Sequence, residues 1–398
     1  MQIISSSLLT IVLIALCRAG LTIAEDSPPS DGNGQENDGA IGKMATVSGG
    51  VNNHAYGAFS LVAGGKRNSA EGRSSTASGG VKNAAKGDRA FIGGGNKNIA
   101  EGEESTVVGG YQNYALAQRA IIAGGSKNDI TPDSKGGTIS GGSVNVVNGK
   151  YGSIGGGFKN FVAHDFAVVS GGNYNAALRT FATVSGGTDN VALGKGTTVS
   201  GGISNYGEGE HSSIVGGLKN IAAGDLSFIG GGETNFISHR GSVIGGGQDN
   251  GINATFATIA GGRDNTVSGH FGAIIGGEGN EATGKYSIAA GVQAKAKADR
   301  SAVFNLSTNK VESNSEGEFL ISAKSFTLKL GDRELLTIDR SNIDRLRDLL
   351  GDTHRSLRGS TRPSISSDEL SHKKAIEDLQ HQVAELRLIV ESLALRTH

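Results

Sequence analysis

A branched apolar side chain returns every 15 residues along most of this chain, two positions before a Gly-Gly pair that is itself followed by Asn three residues later. The Gly-Gly-x-x-Asn phrase occurs sixteen times between Gly49 and Asn280, and a single interval, the one that contains Pro132, is two residues longer. This period is too short for a helical hairpin, which needs about 33 residues. The pattern therefore predicts an all-β solenoid, a parallel β-roll or β-helix of about sixteen 15-residue turns across residues 41–300.

A second apolar column is predicted on the other side of each turn. Five residues after the second glycine, nine of the sixteen turns carry alanine. Glycines between the two columns can take positive φ without steric cost, so we expect them to reverse the chain between two short strands.

The asparagine that closes each phrase has no exception in sixteen turns. Because stacked turns place equivalent residues about 4.8 Å apart, we predict that the side chains form a hydrogen-bonded ladder with a structural and not a catalytic role. The predicted ladder is Asn53, Asn68, Asn83, Asn98, Asn113, Asn128, Asn145, Asn160, Asn175, Asn190, Asn205, Asn220, Asn235, Asn250, Asn265 and Asn280.

Such a thin solenoid buries few apolar groups for the backbone that it orders, so we expect it to need support from partner chains. Disulfides are not expected to help, because Cys17 is the only cysteine and lies in a predicted signal peptide. We predict a homo-oligomer, with trimer and dimer both open. Close approach of the chains is expected at a column of small residues that includes Ser60, Ala90, Ala120, Ala167 and Ala182.

Two further segments are predicted before the solenoid. Residues 1–24 read as a secretory signal peptide, because the apolar run Leu8–Leu16 is followed by small residues and is too short to span a bilayer. Residues 25–40 read as a disordered acidic lead-in. The chain is therefore expected to be secreted, outside the cell or at its surface, without a transmembrane segment.

After the solenoid we predict a small β cap at residues 301–340, a short helix at 341–352, a linker at 353–367 and a coiled coil at 368–396. The same heptad seam could instead pack on the chain's own solenoid. The seam consists of Ile376, Leu379, Val383, Leu386, Val390 and Leu393.

Units such as Thr183–Gly194, with the sequence TVSGGTDNVALG, resemble the head repeats of trimeric autotransporter adhesins of the YadA-like type. This resemblance implies a left-handed parallel β-roll, a trimer and a coiled-coil stalk. The chain departs from the family in its final helix, which stands where those proteins have a membrane-spanning β-barrel, so anchoring is not expected to carry over.

The leading functional hypothesis is a secreted oligomeric adhesin or surface-coat protein that binds matrix, carbohydrate or cell surface. An ice- or crystal-binding solenoid is an alternative, although the outward column from Thr46 to Ala273 mixes Thr with Leu, Phe and Ile. A purely structural extracellular fibre is another.

An enzyme, a bound cofactor and a metal site are not expected, because the nine histidines share no column and lack metal-ligand spacing. The formal net charge of −1 argues against a nucleic-acid partner. Asn253 and Asn305 lie in glycosylation sequons, and the sequence leaves their use open.

Overall fold

The computed structural model describes residues 38–330 and 333–339, which fall into two compact units that divide between Ser322 and Ala323. The first unit is a parallel β-solenoid of about 19 turns. Within the described ranges the chain forms strands and turns and no helix. The predicted signal peptide, short helix, linker and coiled coil, with its seam residues, lie outside these ranges, as does nearly all of the acidic lead-in.

Each turn contributes one short strand to each of two parallel sheets. The first sheet consists of Gly39–Ala40, His54–Ala55, Ser69–Ala70, Ala84–Ala85, Ile99–Ala100, Tyr114–Ala115, Asp129–Ile130, Val146–Val147, Phe161–Val162, Ala176–Ala177, Val191–Ala192, Tyr206–Gly207, Ile221–Ala222, Phe236–Ile237, Gly251–Ile252, Thr266–Val267, Glu281–Ala282, Ala294–Ala296 and Val311–Glu312. The second sheet consists of Thr46–Val47, Leu61–Val62, Thr76–Ala77, Phe91–Ile92, Thr106–Val107, Ile121–Ile122, Thr138–Ile139, Ser153–Ile154, Val168–Val169, Thr183–Val184, Thr198–Val199, Ser213–Ile214, Phe228–Ile229, Val243–Ile244, Thr258–Ile259, Ala273–Glu278, Ile288–Val292, Ala302–Asn305 and Phe319–Ser322. A third line of contact joins single residues of successive turns, from Val51 to Glu278.

The predicted count of sixteen turns is wrong, because the ladder extends beyond the Gly-Gly-x-x-Asn phrases at both ends. Gly39–Ala40 already pairs with the next turn. At the other end, Ala302–Asn305 and Phe319–Ser322 continue the second sheet in parallel register, in the region where we predicted a separate cap. These late turns lose the phrase but keep an inward apolar residue such as Val303, which is fully buried. Parallel pairing therefore depends on the apolar alternation and not on the phrase.

The second unit contains an antiparallel hairpin of strands Ser325–Leu330 and Arg333–Asp339. It is the one antiparallel pairing among the described strands.

The core of the solenoid has three inward columns, not two. The two predicted columns are fully buried, as Val184 and Ala192 illustrate. The third column is the small-residue column that we expected on the outside, and this expectation is wrong: its members are buried. At most 1% of any of these side chains is exposed: Ser60, Ala90, Ala120, Ala167 and Ala182.

Non-glycine residues in the left-handed conformation explain why the third column points inward. Most turns have two such corners: a first corner just before the ladder Asn, as at Asp189 (φ 60°), and a second corner just before the small buried residue, as at Phe181 (φ 61°). The predicted positive φ of glycine is found at the second glycine of each pair, and these further corners were not predicted. The corners are held by neighbouring turns, since the Phe181 amide donates to the carbonyl of Asp165 at 3.2 Å. Inter-turn hydrogen bonding thus offsets a conformational cost of about 1–2 kcal/mol per corner.

Leu226 should be a site where this cost can be removed. It is a second-corner residue with φ 54° and its side chain is half exposed. Because Asn tolerates the left-handed region better, we expect Leu226→Asn to raise the free energy of unfolding by about 0.5–1 kcal/mol. Urea denaturation followed by circular dichroism measures this change. Leu218→Asn, at a position in the same turn without positive φ, is the control, and equal stabilisation by both variants would contradict the explanation.

Candidate functional site

The ladder asparagines inside the solenoid offer no free group to a ligand, because contacts within the chain saturate them, as Asn175 shows. The Asn175 backbone N–H donates to Oδ1 of Asn160 at 3.0 Å. Its Nδ2 donates to the carbonyls of Gly171 at 2.8 Å and Gly187 at 3.0 Å. All sixteen asparagines are buried. Each ladder Asn after the first donates its backbone N–H to Oδ1 of the Asn one turn earlier, and in eight of the fifteen steps its Nδ2 also donates to that Oδ1, the amide-to-amide bond expected of the ladder. Candidate functional groups are therefore sought on the outer faces.

The outer face of the second sheet is free of charge. It consists of three columns: the outward strand residue, the residue before the first glycine, and the first glycine itself, for example Thr183, Ser185 and Gly186. From Thr46 to Gly276 none of these positions carries an ionisable side chain, although 19% of the whole chain is Asp, Glu, Lys or Arg. We call this surface the uncharged face.

The two glycines of each pair have different reasons to be glycine. At the second, Gly172 has φ +84°, and a Cβ there would lie 2.2 Å from the carbonyl oxygen of Gly187. At the first, a Cβ added in any of the sixteen turns would meet no atom closer than 3.8 Å. Eleven of the sixteen first glycines also have φ outside the left-handed range. In these eleven turns, neither a steric conflict nor a left-handed backbone within the chain explains why this half-buried column excludes side chains.

A ridge of aromatic side chains runs along the second corners. It consists of Tyr151, Phe166 and Phe181 and, five turns further on, of Phe256, Phe271 and Tyr286. Neighbouring rings stack with centroids 4.9–5.5 Å apart and interplanar angles of 11–15°. Sequence reasoning missed this ridge, although aromatic residues repeating every 15 positions would have revealed it.

Charge is segregated along the first corners. Between residues 51 and 174 the first-corner column and the bridging column beside it contain six cationic residues and no acidic one. The same columns from 188 to 278 contain five acidic residues and two cationic ones. The near-zero net charge of the chain hides this polarity. The six cationic residues, which we call the basic corner, are Lys66, Arg67, Lys82, Lys97, Lys127 and Lys159.

Among the described tyrosines, Tyr206 has the most strongly raised pKa. Burial, with smaller contributions from Asp189 and Glu208, raises its pKa to about 12. Its strand neighbours are Val191 and Ile221. Among the described residues, none lies within hydrogen-bonding distance of the buried hydroxyl. This is a packing feature of the first sheet, because the group has no catalytic partner.

Tyr206→Phe should therefore stabilise the solenoid. Removing an unpaired buried hydroxyl is expected to add about 1 kcal/mol at neutral pH. In addition, the folded-state pKa of about 12 exceeds the ordinary value of 10.0, so the wild-type chain loses stability as the pH rises from 10 to 12, and the variant should lose less. Thermal unfolding between pH 7 and 12 tests both effects. Tyr151→Phe, on an exposed ring, is the control, and an identical pH response in all three proteins would contradict the assignment.

Among the described residues, no three His, Cys, Asp or Glu side chains come together as a metal site would require. The two sequons differ in accessibility. Asn253 is exposed, whereas Asn305 is buried and donates from Nδ2 to the carbonyl of Asn309 at 2.7 Å. A glycan on Asn305 would not fit the folded turn.

No protein-family model matches the chain, and no curated protein is significantly similar to it. In residues 38–330 and 333–339 no helix is long and apolar enough to cross a membrane.

Proposed function

We propose that this protein is an extracellular adhesin or surface-coat rod, in which several copies associate along the uncharged face and present the remaining faces to matrix, carbohydrate or cell surface. Three copies, left-handed turns of the YadA-like type and a C-terminal coiled coil are part of the proposal, with two copies as the alternative. The observation that carries it is the first-glycine column, in which eleven of the sixteen glycines exclude a side chain although neither a steric conflict nor a left-handed backbone within the chain requires it.

A second copy supplies the missing cause. Glycine lets two backbones approach more closely than any other residue, and a column of sixteen glycines keeps the approach uniform along the rod. Charged side chains would lose hydration in such a contact without gaining partners. Their absence from the two neighbouring columns therefore also fits a second copy packed against this face. The size fits as well. Sixteen turns at about 4.8 Å and three residues of extended chain give roughly 700 Å² per copy, close to the area of a standard specific interface.

Binding by the other faces would rest on repetition. Equivalent positions recur about every 4.8 Å in each copy, so a weak contact with a polymer or a surface is offered many times on one rigid body. Association of two or three copies multiplies the number of such contacts again. Secretion, predicted from the N-terminal residues, would place the rod where such surfaces occur.

The self-association step is tested by placing charge on the first-glycine column. Gly171→Arg and Gly201→Arg introduce side chains where a Cβ meets no atom within 4 Å, so each folded chain should tolerate them. We expect the purified wild-type chain to be oligomeric by light scattering and the double variant to dissociate. Asn173→Arg and Ile203→Arg, two residues away, form the control, because Arg263 already occupies that column. A monomeric wild type, or equal dissociation of both variants, would refute the proposal.

The adhesive step is tested by binding of the oligomer to cells, collagens and glycan arrays, with the dissociated variant as comparison. Binding that weakens on dissociation supports avidity. Absence of binding to cells, collagens and glycans would exclude adhesion and leave the purely structural extracellular fibre as the remaining hypothesis. Thermal hysteresis in ice-growth assays would instead favour the ice-binding alternative. That alternative is the weaker one, because Phe91, Ile121 and Phe228 interrupt the threonine column.

A further inference from the structure

We propose that the basic corner is a binding site for a linear acidic polysaccharide, a chain that carries carboxylate or sulfate groups. This inference rests on the proposed function and specifies its ligand class. Six cations and no carboxylate lie on two adjacent columns, the first corner and the bridging column, over nine turns.

The fold fixes the backbone of the basic corner in one row, with successive turns in register. Each first-corner residue has positive φ and donates its amide to a carbonyl of the preceding turn, as Lys97 does to Val81 at 2.9 Å and Lys159 to Ser143 at 3.0 Å. Successive turns therefore advance by the strand spacing, and cations separated by one or two turns lie about 5 or 10 Å apart. A rigid row of this kind matches an extended polymer with regularly repeated charges better than a small anion, which one or two cations could bind.

These cations also differ from others on the same surface in their pairing. Elsewhere, cations bind carboxylates one turn away, as Arg119 does with Glu104 at 2.7 Å. Within residues 38–330, by contrast, no carboxylate forms an ion pair with Lys66, Arg67, Lys97 or Lys127. Asp129 is the one acidic residue in the adjoining outward column of the first sheet over these turns. The charges of these four cations are therefore not neutralised by an ion pair within residues 38–330 and are available to an external polyanion.

Aromatic residues beside the row favour a saccharide over a nucleic acid. Single-stranded nucleic acids gain much of their binding energy from bases stacked on open ring faces. Here Phe158 and Tyr174 meet edge to face with centroids 5.5 Å apart, and Nζ of Lys159 lies over both rings, at 5.2 and 5.1 Å from the centroids. The lysine lies over one face of each ring and so reduces the ring surface on which bases could stack, whereas acidic groups of a saccharide need only the cations.

The acidic half of the same corner provides an internal contrast. Asp189 and Asp249 occupy first-corner positions equivalent to Arg67 and Lys97, with φ 60° and 53°. The backbone geometry is shared and the charge is opposite, so the polymer is expected to bind along the N-terminal part of the rod alone. Converting these aspartates to lysine should lengthen the site.

The experiment measures binding of the full chain to immobilised heparin and polygalacturonate by surface plasmon resonance, with dextran as the uncharged reference. We expect binding at about 0.05 M salt that is largely lost at about 0.5 M. Arg67→Gln, Lys97→Gln, Lys127→Gln and Lys159→Gln together should weaken it at least about tenfold. Glutamine is tolerated at this corner because Gln112 already occupies it. The control removes four lysines from another edge of the rod: Lys43, Lys135, Lys150 and Lys195.

A second variant gives a gain of binding that misfolding cannot mimic. Asp189→Lys with Asp249→Lys should raise the affinity for both acidic polymers by several-fold. Equal losses in the two quadruple variants, absence of binding at low salt, or binding to poly(dT) as tight as to heparin would each overturn the proposal. The outcomes are separable from those of the proposed function. If adhesion persists in the basic-corner variant, the ligand assignment alone is wrong, whereas a monomeric wild type undermines the adhesin itself.

Discussion

Gly172→Ala is expected to unfold several turns of the solenoid, whereas Gly171→Ala, one residue earlier, should be nearly silent. A Cβ at residue 172 would lie 2.2 Å from the Gly187 carbonyl oxygen and 2.5 Å from Nδ2 of Asn175, at φ +84°. Both contacts involve groups that join this turn to the next, since Asn175 Nδ2 donates to the Gly187 carbonyl, so they cannot relax separately. We expect a loss of more than about 4 kcal/mol, as for other severe steric conflicts in a packed interior.

The control differs by a single position in the sequence. At Gly171 a Cβ meets no atom within 4 Å and φ is outside the left-handed range, so the change in the unfolding free energy of a single chain should stay within about 1 kcal/mol. Urea unfolding in dilute solution, where self-association is weak, provides the comparison. Similar losses in both variants would mean that the two glycines share one structural role. Oligomer mass should respond in the opposite order, because Gly171 belongs to the uncharged face.

Asn160→Ala should cost roughly 2–6 kcal/mol, the second largest effect that we expect. The side chain donates to the carbonyls of Gly156 and Gly172, both at 2.8 Å, and accepts from the Asn175 backbone N–H at 3.0 Å. Alanine leaves the Gly156 carbonyl and the Asn175 N–H without a hydrogen-bond partner within the chain, at about 1–3 kcal/mol each, whereas the Gly172 carbonyl still accepts from the Phe158 N–H at 2.9 Å. The measurement is the urea midpoint, together with hydrogen exchange of the Asn175 amide, which should lose protection first.

Two further substitutions define the mechanism of that loss. Asn160→Asp keeps the acceptor for the Asn175 amide but places a carboxylate against two carbonyls, so it should be at least as destabilising as alanine. Asn173→Ala, on the exposed bridging column, should change stability by less than about 0.5 kcal/mol. If Asn160→Ala were as mild as Asn173→Ala, the ladder would not be a source of stability.

The periodic positions determined which parts of this fold could be predicted. Val184 and Ala192 were assigned to the interior because branched and small apolar residues return at a fixed interval, and they are fully buried. Ala182 was placed on the wrong side because the residue before it, Phe181, gives no sign in its side chain of a left-handed backbone. That conformation is imposed by pairing between turns, which a local sequence pattern does not encode.

The extra turns and the charge distribution escaped prediction for related reasons. Val303 continues the buried column although its turn has lost the Gly-Gly-x-x-Asn phrase, so counting phrases undercounted turns. Lys97 and Lys127 lie 30 residues apart in the sequence, and the register of the turns places them on the same corner. A net charge near zero carried no information about that alignment. The coiled coil and the left-handed sense of the solenoid remain predictions.

The two residues inserted in the turn around Pro132 are absorbed entirely at a corner. Ile121 still pairs with Thr138 on one side, and Asp129 with Val146 on the other, as if the intervening peptide were of ordinary size. An insertion at this corner therefore leaves the pairing of the neighbouring turns unchanged. A peptide epitope or an affinity tag inserted beside Pro132 should therefore project sideways from the solenoid at a known turn, without disturbing the turns before or after it.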